Sequence, residues 1–146
     1  MKHGSTLAAG FLVLAALTSS PAVAASCDIS SQGVNFGNYD TLDPQPLDGA
    51  GSIAVVCDEE ASFTISLSSG AGSYPARRLA GGADGLVYNL FTDASRTVVW
   101  GDGSAGSVTI AGTATTAQET VYGRIPARQN VPAGGYADTI VVTITY

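Results

Sequence analysis

Past its third residue the sequence contains no lysine and no histidine, and its 146 residues include two cysteines, one tryptophan and one methionine. Each scarcity removes a class of chemistry. Nucleophilic triads and most general-base schemes lean on an imidazole. Two thiols without a histidine cannot complete a tetrahedral zinc site unless carboxylates help. With lysine gone, five arginines face twelve carboxylates beyond position 25, a net charge of about −7. That balance works against phosphate backbones and anionic lipid surfaces, which attract basic patches. Long apolar runs are scarce as well. The one such run, residues 7–17, has about 11 residues, whereas a bilayer-spanning helix needs about 20. Neither nucleic acid, a membrane span, a cofactor nor a metal is expected.

What is present begins with a leader. Lys2 and His3 precede the apolar run, and the small residues Ala22-Val23-Ala24-Ala25 follow it. This is the pattern of a secretory signal peptide over residues 1–25. Residues 26–146 are then the size of one exported domain with one core. In an oxidising compartment Cys27 and Cys57 read as a disulfide. Closing a loop of about 30 residues is worth roughly 3.5 kcal/mol on the chain-entropy account. Metal ligation by the two thiols is the alternative.

Glycines, serines and threonines separate short apolar stretches, which is the texture of an all-β sandwich. The expected strands are residues 34–36, 52–57, 62–68, 86–92, 97–100, 107–110, 119–126 and 138–146. Phe63, Ile65 and Leu67 alternate onto one face, as do Ile140, Val142, Ile144 and Tyr146. Period two means one covered face and one wetter face. Asp43-Pro44-Gln45-Pro46, Gly81-Gly82 and Pro132-Ala133-Gly134-Gly135 supply the breaks.

Few motifs promise chemistry. Residues 101–106 fit a GxGxxG pattern, but the next segment is Ser107-Val108-Thr109-Ile110, strand-like rather than a helix, so a hairpin turn is expected instead of a phosphate cradle. Asp84, Asp93, Asp102, Glu119 and Asp138 could supply a glycosidase-type pair. As isolated acids in glycine-rich turns they read as caps of backbone amides. Asp58-Glu59-Glu60 reads as a solvated turn between two strands, with weak calcium binding the alternative. Trp100 reads as a rim residue over the end of the core, the alternative being a ring that stacks a ligand. Tyr136 reads as a tyrosine corner bonding back across its loop.

The motifs along the chain resemble those of one family. Cys27, Phe36-Gly37-x-Tyr39 and Gly51-Ser52-Ile53-Ala54-Val55-Val56-Cys57 are similar to the opening of the spore coat protein U domain found in subunits of archaic chaperone–usher pili. Arg78-Leu79, Leu86-Val87-Tyr88-Asn89-Leu90-Phe91-Thr92-Asp93 and Trp100-Gly101-Asp102-Gly103 resemble its middle. Val121-Tyr122-Gly123-Arg124-Ile125-Pro126, Gln129, Gly135-Tyr136-x-Asp138-Thr139 and a closing strand ending on an aromatic ring resemble its end.

The resemblance implies an immunoglobulin-like β-sandwich lacking its last strand, completed by a strand from another polypeptide. Donor-strand complementation in pilins is a standard instance of β-augmentation. It further implies a non-enzymatic structural or adhesive subunit of a surface fibre, reaching the cell surface or spore coat through the periplasm. Its partners would be a periplasmic pilus chaperone, an outer-membrane usher and neighbouring subunits. The strand bordering the groove would carry Ile140, Val142, Ile144 and Tyr146. Only Ala25 and Ser26 stand between the expected cleavage point and Cys27, so a unit that accepts a strand without giving one, at a fibre tip or in a coat, is expected. The alternative from a different class is a stand-alone secreted β-sandwich that binds carbohydrate or another ligand.

Overall fold

The computed structural model describes residues 24–83 and 85–146. The expected signal peptide falls, up to residue 23, outside the described residues, and so does Asp84. Six strands form: β1 (Cys27–Gln32), β2 (Leu47–Leu67), β3 (Arg77–Leu79), β4 (Leu86–Phe91), β5 (Ile110–Ile125) and β6 (Val142–Thr145). No helix occurs among the described residues. The sheet runs β1-β2-β5-β4-β3, every pairing is antiparallel, and β6 joins β2. β1 and β6 both occupy the edge of β2 that β5 leaves free, β1 along residues 52–57 and β6 along residues 64–67.

Two long strands carry the architecture. β2 has 21 residues and β5 has 16, and they pair from Leu47–Ile125 to Ile65–Ile110. Alternation explains which side they bury: Ile53, Val55, Cys57, Phe63, Ile65 and Leu67 all face the core, while the residues alternating with them, Val56 among them, turn outward. The expected strands 52–57 and 62–68 are therefore one element. Asp58-Glu59-Glu60 is not a turn between strands. It forms a bulge within β2, where the register shifts between Val56 and Ala61, and all three side chains are exposed. An uninterrupted β5 opposite lets the bulge absorb the extra residues without ending the strand.

Other expected elements also change. Residues 34–36 form no strand, because Val34 and Phe36 use their side chains to cover glycines rather than their backbone to pair. Residues 97–100 and 107–110 make isolated bridges, Phe91 to Val99 and Trp100 to Val108, before β5 starts at Ile110. The second bridge is parallel, so residues 101–106 form a loop and not a hairpin. Trp100 is not a rim residue. It is fully buried, and its indole N–H donates to the Ile65 carbonyl at 3.1 Å. The expected last strand shortens to β6, because Ala137 pairs with Ala80 and Asp138 is drawn away by Tyr88 and the Ala71 amide. Cys27 and Cys57 face each other across β1 and β2 and are disulfide-bonded.

Candidate functional site

Beside β6 the core is not roofed. An open groove of about 1100 Å³ runs between residues 33–40, which continue from β1, and residues 131–142, which lead into β6. Its floor is apolar and includes Ile53, Leu67, Leu90, Val121 and Ile125.

The groove has one wall with backbone to offer. Ser68 N–H donates to the Val141 carbonyl at 2.9 Å, which makes residues 68 and 141 a hydrogen-bonded pair. Such pairs alternate along an antiparallel ladder. The amides and carbonyls of Val142 and Ile144 therefore point away from β2, and among the described residues no strand pairs with that outer edge. Ile140 and Val142 line the groove, while Ile144 shares their face and packs on the core. Tyr146 lies just past β6 and is 56% exposed. Of the four residues expected to border a groove, the structure thus brings the first two to it directly.

The opposite wall is held by side chains. Val34 and Phe36 sit over Gly49 and Gly123, where a Cβ on Gly123 would stand 2.6 Å from the Phe36 ring. The Phe36 ring meets Tyr88 edge-on, with centroids 5.9 Å apart. Tyr39 fastens the end of this wall: its hydroxyl donates to the Pro126 carbonyl at 2.9 Å and accepts from Gln129 N–H at 2.7 Å. Gln129 has a second task. Pro126 ends β5 and has no N–H for the facing strand, so the Gln129 side-chain amide replaces it, accepting from Val87 N–H at 2.8 Å and donating to the Val87 carbonyl at 2.7 Å. Tyr136 bonds back to the Pro132 carbonyl at 2.7 Å, the corner expected of it.

Polar groups gather where the groove meets β3 and β4. Tyr88 donates to Asp138 at 2.7 Å, and burial, then this bond, pushes its hydroxyl well above the ordinary tyrosine range. Arg77 is fully buried, and burial lowers its pKa. Its guanidinium reaches the Ser68 and Trp100 carbonyls and the Asn89 amide oxygen. Two of the acids considered for a catalytic pair, Asp93 and Asp102, serve their own loops. Asp93 accepts from the Ser95 hydroxyl and from Val98 and Thr97 N–H, and these bonds hold its carboxyl far below the usual range. Asp102 is lowered in the same way by Ser104.

Sequence reasoning did not find Arg77 as a site residue, since nothing in Arg77-Arg78 separates the buried arginine from the exposed one. Phe36, Tyr39, Tyr88 and Gln129 entered only as motif residues, without a role.

Comparison with known proteins follows the same line. The family profile described as Spore Coat Protein U domain matches residues 13–143. Protein U of Myxococcus xanthus is 36% identical over 142 residues, spanning 85% of this chain and 79% of that protein. The fold matches, at a TM-score of 0.61 and 24% identity, a chain of the chaperone–tip adhesion subunit pre-assembly complex from archaic chaperone–usher Csu pili of Acinetobacter baumannii. That likeness covers 85% of this chain but 40% of the other, and it is one of fold, the immunoglobulin-like sandwich expected from the sequence. With a family profile matching residues 13–143 and a relative 36% identical across 85% of the chain, the chain belongs to the Spore Coat Protein U domain family.

Proposed function

We propose that the protein is a secreted structural or adhesive subunit of a surface fibre, a pilus or a spore coat, that accepts a β-strand from another polypeptide. Residues 1–25 serve as its export leader and residues 26–146 as the fibre domain. A periplasmic chaperone lends the strand first, and a neighbouring subunit replaces it as the usher assembles the fibre. The observation that carries this reading is the outer edge of β6, unpaired among the described residues, beside an open apolar groove. An inserted strand would satisfy the amides and carbonyls of Val142 and Ile144 and cover the floor. Four or five apolar side chains would contribute about 1.5–3 kcal/mol each, roughly 6–15 kcal/mol before ordering costs. A whole domain's net stability is about 5–15 kcal/mol, so the partner's strand is comparable to the fold itself.

The test uses the oxidised chain without its leader and an extended peptide alternating valine and threonine. Alone, the chain is expected to unfold at low temperature with a broad transition, and the peptide is expected to raise and sharpen it. Val142→Asp places a charge at the groove and should abolish the response. A sharp transition indifferent to peptide would instead identify a complete, stand-alone β-sandwich.

A further inference from the structure

Arg77 is the one fully buried charged side chain among the described residues. Burying a cation is costly unless its donors are satisfied. Here they are met by neutral oxygens and not by a carboxylate. Nε and Nη2 donate to the Ser68 carbonyl at 3.1 and 2.8 Å, Nη2 also to the Trp100 carbonyl at 2.7 Å, and Nη1 to Asn89 Oδ1 at 2.7 Å. The Tyr74 ring lies beneath, 5.4 Å from the guanidinium carbon.

The Ser68 carbonyl is the informative partner. In a regular antiparallel ladder the hydrogen-bonded pair of residues 68 and 141 would exchange two bonds, each N–H donating to the other's carbonyl. One of these is made, from Ser68 N–H to the Val141 carbonyl. The other is not. A carbonyl has two lone pairs, and the arginine fork takes both, so Val141 N–H turns to the Ser68 hydroxyl at 2.9 Å. Beyond this point the chain departs from β2 to reach Ala80 through Ala137 and Tyr88 through Asp138.

We infer that Arg77 is a positioning residue for the acceptor edge: by occupying the Ser68 carbonyl it ends the β2–β6 ladder at Leu67–Val142 and holds residues 137–141 against the groove. This rests on the strand-accepting reading proposed above. The arginine works by what it withholds from the ladder. A neutral side chain of similar length would fill the same space but release the carbonyl, and the ladder would close on Val141, drawing Ile140 towards β2 and narrowing the edge offered to an incoming strand.

The experiment is a mutant cycle on the oxidised chain without its leader, read by hydrogen exchange of the Val141 amide and by uptake of the valine/threonine peptide. Ser68→Ala removes the acceptor that Val141 N–H uses, and exchange there should quicken at least tenfold. In an Arg77→Met background the freed carbonyl takes over, so Ser68→Ala should change Val141 exchange less than twofold. Mere filling of space would instead make the two changes independent. Arg77→Met should also slow peptide uptake at least tenfold, with Arg77→Lys between it and wild type. Equal effects of Ser68→Ala in both backgrounds, or wild-type uptake by Arg77→Met, would overturn the inference. If Arg77→Met does not fold, Ser68→Ala alone decides, because unchanged Val141 exchange means that the carbonyl was never withheld. Should the wild-type chain take up no peptide, the strand-accepting reading fails while the Val141 cycle still decides the role of Arg77.

Discussion

Asp48 stands between two arginines. Arg124 donates to it through Nε at 2.7 Å and Nη2 at 2.9 Å, and Arg96 Nη1 lies 3.3 Å away. The Arg124 hydrogen bond, opposed in part by desolvation, holds its carboxyl below the ordinary 3.8. A depressed carboxylate means that the unfolded chain binds the proton more readily, so the stabilisation is present above the unfolded value and is lost as pH falls through the folded one. The group is about one-third exposed, which limits its worth to about 0.2–1 kcal/mol. Asp48→Asn is therefore expected to lower the melting temperature by about 1–5 °C at pH 7, with the gap narrowing as pH falls below the ordinary 3.8. Thermal melts across pH check this, and a gap that persists at pH 2 would assign the effect to packing. None of this pairing was legible in the sequence, because Asp48 and Arg124 are 76 positions apart and only the β2–β5 register makes them face. The turn caps were legible, since Asp93 and Asp102 find their partners within a few residues.

Among the elements, β1 depends most on a covalent bond. Its sequence, Cys-Asp-Ile-Ser-Ser-Gln, has little to bury, and it pairs along one edge with β2. The disulfide closes a separation of 30 residues, for which chain entropy gives roughly 3.5 kcal/mol. Replacing both cysteines by serine should remove about that much from the urea-unfolding free energy. A loss under about 1 kcal/mol would show that β1 is held by its ladder instead. Sequence patterning favoured residues 34–36 over β1, because Val34 and Phe36 are the apolar pair. Their role is to stack on Gly49 and Gly123 from a segment with no ladder of its own. Local patterning reports what a side chain avoids, and says little about whether the backbone beside it has found a partner.

For the molecule as a whole, the sheet curls around its core and leaves one side open. An occupant of the groove that binds only the folded form should add stability as the logarithm of its concentration, about 2.7 kcal/mol at a hundredfold excess over Kd. Melting temperatures measured against peptide concentration should thus climb without a plateau once the site is saturated. A plateau at stoichiometric peptide would point to a fixed structural change instead of mass action. The acidic balance of the chain would disfavour an occupant of the same sign. That balance could be counted from the residues alone, whereas the groove could not, since its walls come from segments about 100 positions apart.

By itself the sequence determined the all-β class, the cysteine pair, the alternating faces of β2 and the scarcity of imidazole and amine chemistry, because each depends on residue type or on spacing within one strand. Tertiary structure alone decided that two expected strands are one bulged β2, that Trp100 is fully buried, that Arg77 and not Arg78 is buried, and that no strand among the described residues pairs with the outer edge of β6. The reason is physical. Whether a backbone group is satisfied or a charge is enclosed depends on what the rest of the chain brings to it, and that is settled by the pairing of distant strands.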